Sequence, residues 1–194
     1  MTKTLVIVDF QRDFYEEGAP LQVPGADKAA EGVLRLLETE SFDKVVFTVD
    51  WHSCRHCSFR ENGGPWPVHC VQGERGSEIH PDMLAVVERR GMPYQVVRKG
   101  ERDEEEEYGA FSRLEETADG IVAHTATDSC TFPKNGEIIV CGLAGDYCVL
   151  ETLKNLQPLH PTVYEEGIAS IDGGKALREY LVTLRLREYL VTLR

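Results

Sequence analysis

The chain has 194 residues, of which 42% are hydrophobic and 28% charged. It is long enough to bury a core without staples, and its composition excludes disorder throughout. Acidic residues outnumber basic ones by 33 to 21, a net charge of −12 that repels polyanions and excludes a general nucleic-acid or anionic-membrane binder.

No apolar run approaches the ~20 residues of a membrane helix. Residues 1–10 lack a secretory apolar region, so a cytoplasmic location is expected. In that compartment the six cysteines (Cys54, Cys57, Cys70, Cys130, Cys141 and Cys148) read as thiols, metal ligands or a nucleophile rather than as a disulfide framework.

In chain order, the first predicted strand is the β-branched run 5–8, which ends at Asp9. Residues 26–40 follow, with Ala29, Ala30, Val33, Leu34, Leu36 and Leu37 forming the one-sided stripe of a helix. A second strand at 45–49 ends at Asp50. After a shorter helical pattern at 81–90, a third strand at 95–97 ends at Arg98-Lys99. The acidic run 101–107 (ERDEEEE) reads as a solvated loop. A fourth strand at 138–141 runs into Gly142, a helical pattern covers 147–156, and a weaker strand lies at 162–164. Near-continuous apolar strands alternating with helices predict a three-layer α/β/α fold around a mostly parallel sheet of five or six strands. The nonapeptide LREYLVTLR occurs twice, at 177–185 and 186–194, too short a period for a solenoid. A single domain at 1–176 followed by a duplicated helical segment at 177–194 is the resulting division.

In parallel sheets chemistry gathers beyond the carboxyl ends of the strands, where Asp9, Asp50 and Lys99 fall. Cys148 follows a Gly/Ala-rich turn at the start of a helix, whose dipole and free N–H groups favour a thiolate and can hold an oxyanion. It reads as a nucleophile or as a small buried hydrophobe. Asp9 reads as a general base or a turn cap, and Lys99 as a fixed positive charge or a surface lysine. Asp50 and His52, with the distant His69, suit a divalent metal through one oxygen and two nitrogens. His56 is a spare ligand, and hydrogen-bonded imidazoles are the alternative. Cys54 and Cys57, with His69 and Cys70, offer a different class of protein, a non-catalytic zinc-binding module, although a second CxxC pair is absent.

The order of motifs is VDFQRDF at 8–14, TVDWH at 48–52, SFRENGGPWPVHCVQGERG at 58–76, RKG at 98–100, YGAF at 108–111 and CGLAGDYCV at 141–149. From about residue 4 to 172 this resembles the nicotinamidases of the isochorismatase-like cysteine hydrolase family. The resemblance implies hydrolysis of nicotinamide to nicotinate and ammonia in NAD salvage. It assigns Cys148 as nucleophile, Asp9 as base and Lys99 as the third catalytic residue. It implies an oxyanion hole from the backbone N–H groups of Ala144 and Cys148, with a cis Leu143-Ala144 bond. It implies one divalent metal on Asp50, His52 and His69, zinc first with manganese or iron as alternatives, anchoring the pyridine nitrogen. His56 becomes a neighbour for metal-bound water. Phe14, Trp66, Tyr108 and Tyr147 become the walls around the ring. The partner is then a small molecule, with neither nucleic acid nor membrane involved; the oligomeric state, a homo-oligomer included, is left open. An amidase for another small amide is the alternative, and an isochorismatase-like ether hydrolase is disfavoured by the metal set. Residues 120–136, with their Thr, Ser, Pro and Gly, depart from the amphipathic helix the family places there. The tail repeat occupies the place of the family's last strand.

Overall fold

The computed structural model of the protein describes residues 2–192, and the side chains of its last helix as far as residue 184. Five parallel strands form the central sheet: β1 (Thr2–Val8), β2 (Lys44–Asp50), β3 (Tyr94–Lys99), and, beyond the small sheet described below, β7 (Gly136–Gly142) and β8 (Thr162–Ile168). Their spatial order is β3-β2-β1-β7-β8. The predicted sheet is therefore present with five strands; the place of a sixth is taken by a helix.

Side chains of a strand alternate between faces, and here both faces are covered. Leu5, Ile7, Val45 and Phe47 point to one side, into a core with Val33 and Leu37 of helix α2 (Ala26–Thr39) and Val87 of α3 (Pro81–Arg89). Val6, Val8, Val46 and Val140 point to the other, against Val149, Leu150 and Leu153 of α4 (Cys148–Leu156) and Leu177 of α5 (Lys175–Thr192). A four-residue helix, α1 (Arg12–Tyr15), follows β1 directly. Helix α2 lies so close to β8 that a Cβ on Gly32 would stand 2.2 Å from the Glu166 carbonyl oxygen.

The stretch that departs from the family pattern is an antiparallel meander of β4 (Arg113–Glu116), β5 (Ile121–His124) and β6 (Ser129–Phe132). It buries Ala123, Cys130 and Phe132 against Phe111 and α4. Gln95 Nε2 donates to the Ser129 carbonyl at 2.7 Å and ties it to the main sheet. The weak strand at 162–164 runs on to Ile168 through a bulge opposite β7. The first nonapeptide of the tail lies in α5. The second continues the same helix to Thr192, with its side chains outside the described residues. Among the described residues no helix is long and apolar enough to cross a membrane.

The chain leaves β1 and β7, neighbours in the sheet, toward opposite sides. A crevice opens at such a reversal beyond the strands' carboxyl ends. Leu37 is fully buried where α2 meets the sheet, so Leu37→Ala should destabilise the protein by about 2–5 kcal/mol in urea unfolding. A cost below about 1 kcal/mol would contradict the packing of α2 against the sheet.

Candidate active site

The crevice is built around Lys99, the last residue of β3. Register places it directly opposite Asp50, the last residue of β2. Its side chain is buried, with Nζ 2.9 Å from Asp9 Oδ2 and hydrogen-bonded to Asp50 Oδ1. The same ammonium lies 3.6 Å from Cys148 Sγ and donates to the Glu107 carbonyl at 3.1 Å.

Asp9 follows β1 with φ +46°, a region non-glycine residues seldom occupy. Its N–H donates to the Thr48 carbonyl at 3.1 Å, and Thr48 Oγ1 donates to its Oδ1 at 2.7 Å. Apart from the Lys99 ion pair, Asp9 Oδ2 has no hydrogen-bond partner among the described residues, and a ligand oxygen of Asp9 lies within 4.8 Å of Cys148 Sγ. A lone pair is thus left for the thiol proton. Asp50 is clamped by Gln11, whose Oε1 accepts from its N–H at 2.8 Å and whose Nε2 donates to its carbonyl at 2.7 Å. The buried amide stands in for a neighbouring strand at the point where the ladder ends.

Charge follows from this packing. Burial works to lower the Lys99 pKa, but Asp50 and then Asp9 hold the ammonium well above the ordinary lysine range. Burial works to raise Asp50, but Lys99 holds it below the usual carboxylate range. Burial raises Asp9, opposed by Lys99. Burial pushes the Cys148 thiol well up, and Asp9 and Asp50 add to this against Lys99. The helix terminus alone argues for a resting thiolate. With one ammonium already shared by two carboxylates, a third anion is disfavoured, and the Cys148 sulfur lies beside a carboxylate that can take its proton.

The turn from β7 into α4 contains a cis bond between Leu143 and Ala144. The amides of Leu143, Gly145, Tyr147 and Val149 donate to Val8, Ala169, Ala144 and Ala144 carbonyls. Those of Ala144 and Cys148 have no such acceptor among the described residues and are free to face an oxyanion.

Asp50 also belongs to a second cluster. Its Oδ2 lies 3.5 Å from His52 Nε2 and 3.9 Å from His69 Nε2. The His52 Nδ1–H donates to the Gly100 carbonyl and the His69 Nδ1–H to the Pro67 carbonyl, each at 2.8 Å. Both Nε2 atoms are therefore turned toward Asp50, and that of buried His52 has no aligned hydrogen-bond partner among the described residues. Three donors within 4.8 Å of one another, two held in the ligating tautomer, fit a divalent cation. Asp9, Asp50 and Cys148 also converge within that span, but the cation there is the Lys99 ammonium.

His56 does not join the set. It stacks on His52 at 4.0 Å; its Nδ1 pairs with Ser58 Oγ at 2.8 Å and its Nε2 donates to the Glu105 carbonyl at 3.0 Å. Both nitrogens are engaged, so it supports the ring of His52 and is free neither as a ligand nor for metal-bound water. Cys54, Cys57 and Cys70 are free thiols of graded burial, and none enters a donor cluster among the described residues, which removes the support for a structural zinc module.

Phe14, Trp66, Tyr108 and Tyr147 line one cavity together with Asp50, His69, Ala144 and Cys148. Trp66 Nε1 donates to the Tyr108 hydroxyl at 2.9 Å and its ring meets Tyr147 edge-on at 5.1 Å. Tyr108 is thus held in the wall despite the acidic run before it. Sequence reasoning missed Gln11 and Thr48, which orient the two carboxylates, and Glu106, which lines the same cavity. Burial and then Asp50 raise the Glu106 carboxyl pKa. Only the VDFQ motif signalled Gln11; Glu106 was hidden among its acidic neighbours.

No protein-family model matches the chain. Its fold is that of the isochorismatase-like hydrolases: one from Alkaliphilus metalliredigens superposes with a TM-score of 0.64 over 100% of both chains at 19% identity. The nicotinamidase of Acinetobacter baylyi is 30% identical over 167 residues, 76% of this chain and 71% of the relative. PnC1 from L. infantum, solved in complex with nicotinate, matches with a TM-score of 0.72 and 28% identity over 96% of this chain and 89% of its own. The pyrazinamidase of Pyrococcus horikoshii, solved in complex with zinc, gives 0.65 and 28% over 92% and 94%. The chain belongs to the nicotinamidase family.

Gly100 has φ +66°, and a Cβ there would stand 2.4 Å from His52 Cε1. Gly100→Ala should therefore displace His52 and lower divalent-metal affinity by about tenfold or more, measured by metal content after dialysis. Undiminished affinity would contradict the role of the Gly100 carbonyl in aiming His52.

Proposed function

We propose that the chain hydrolyses nicotinamide to nicotinate and ammonia through a thioester on Cys148. The observation that carries this is the convergence of Cys148 Sγ, the Asp9 carboxylate and the Lys99 ammonium at the floor of an aromatic-walled cavity.

Asp9 takes the Cys148 proton as the sulfur attacks the carboxamide carbon, so negative charge passes to the substrate oxygen and a lasting thiolate is avoided. The Ala144 and Cys148 N–H groups receive that oxyanion. As the C–N bond breaks, the amine takes the proton from Asp9 and leaves as ammonia. Asp9 then accepts a proton from water, whose hydroxide attacks the thioester. The C–S bond breaks, the proton on Asp9 returns to sulfur, and the nicotinic acid formed gives up its own proton to solvent as nicotinate. Lys99 keeps its charge throughout, holding Asp9 and Asp50 in place and offsetting their negative field.

Asp50, His52 and His69 would hold the divalent cation, zinc by preference for two imidazoles and a carboxylate with open positions. When bound, it would supply a Lewis-acid contact for the pyridine nitrogen, positioning the ring. Phe14, Trp66, Tyr108 and Tyr147 confine the ring from the sides. Residues 1–176 make up the working domain in this reading, with 177–194 an appended helical segment.

Ammonia release from nicotinamide tests the reading. Cys148→Ala and Asp9→Asn should each lower kcat/KM by about a thousandfold or more with the fold retained by circular dichroism. Activity within tenfold of wild type in Cys148→Ala would refute the thioester route. Stripping the metal with a chelator, or His52→Ala, should raise KM and lower kcat while leaving secondary structure unchanged; full activity in the metal-free protein would contradict the anchoring role.

A further inference from the structure

Within the acidic run 101–107, Glu106 is the residue that lines the substrate cavity, with Tyr108 and His69 also in its lining. Its neighbours fix it there. The Glu105 carbonyl accepts from His56 Nε2 at 3.0 Å, and the Glu107 carbonyl accepts from Lys99 Nζ at 3.1 Å. The Glu107 carboxylate accepts from the Gly100 N–H at 2.9 Å. The loop is thereby pinned to the positioning histidine, to the shared lysine and to the turn that aims His52. Glu106 stands between two anchored residues.

The environment of its carboxylate is unlike that of the other acid in the cavity wall. Asp50 is paired with Lys99 and faces two imidazoles. Glu106 enters no ion pair among the described residues, and the hydrogen bond found for it comes from the Glu107 backbone amide. Glu105 and Glu107, by contrast, both reach Arg102. Glu106 therefore presents to the cavity a carboxylate without an ion pair among the described residues, whereas Glu105 and Glu107 share Arg102. Charge of one sign on the wall of a poorly solvated cavity acts more strongly on a ligand than the same charge on the surface.

Nicotinamide and nicotinate share the ring and nearly share the shape of the side group; they differ in charge. We propose that Glu106 is a specificity-determining residue that sets the cavity against carboxylate ligands, so that the neutral amide is preferred and its anionic product is expelled. The proposal rests on the amidase reading and adds to it a selection between substrate and product by charge.

The experiment uses metal-loaded, full-length protein at neutral pH. Wild-type turnover of nicotinamide is measured first, since its absence would overturn the amidase reading and this proposal with it. Nicotinate inhibition constants are then compared in wild type, Glu106→Gln and Glu104→Gln, the last removing an equal charge at an exposed position of the same run. Dissociation constants of nicotinamide and nicotinate are measured in the Cys148→Ala background with and without Glu106→Gln. Glu106→Gln should tighten nicotinate binding by about fivefold or more, the scale of one unpaired charge at short range. Nicotinamide binding should stay within twofold, and Glu104→Gln should match wild type. A residue with only a structural role would weaken both ligands together. That outcome, or unchanged nicotinate binding in a protein that turns over nicotinamide, would overturn the proposal and leave the amidase reading standing.

Discussion

The site depends on one buried ammonium held between two carboxylates. Lys99 is 2% exposed, and its charge is tolerable there only because Asp9 and Asp50 converge on it. Removing either partner from such a group leaves an uncompensated buried charge, a large penalty. The sheet supplies the arrangement: parallel register sets Lys99 opposite Asp50, and β1 delivers Asp9 next to them. The lysine is therefore a structural tie between three strand ends before it is a catalytic group.

Asp50 extends that tie. One of its oxygens receives the ammonium and the other faces His52 and His69. The Cys148–Asp9–Lys99 cluster and the Asp50–His52–His69 cluster thus share a carboxylate, which fixes the two relative to one another. Trp66, Tyr108 and Tyr147 line the cavity beside both clusters. Gln11 holds the shared carboxylate in register through its backbone, at the one place where the sheet no longer can.

Much of this was legible in the sequence because its causes are local. Four β-branched runs, each closed by a polar residue or glycine, announce a parallel sheet with chemistry at its carboxyl edge. Asp9, Asp50 and Lys99 stand out because they close those runs, and Cys148 because it follows the glycine-rich turn after the fourth. The meander at 113–132 was not legible: its strands are four residues long, and strands that short carry no reliable period. The extension of β8 to Ile168 was hidden by Glu165 and Glu166, which are exposed charges on an edge strand. His56 looked like a ligand in the sequence, yet loop hydrogen bonds occupy both its nitrogens. Glu106 could not be singled out from its neighbours because direction into a cavity is a tertiary property.

The central claim is that Asp9 activates Cys148 beside Lys99, and selective alkylation addresses it most directly. Cys141 is the internal reference, since it is fully buried and burial alone pushes its thiol up, with no base alongside. Under iodoacetamide, followed by mass spectrometry, Cys148 should be labelled faster than Cys141 in the native protein, and Asp9→Asn, which removes the group that takes the thiol proton during attack, should remove most of that advantage. Equal labelling of the two cysteines, or a Cys148 rate indifferent to Asp9→Asn, would contradict the account.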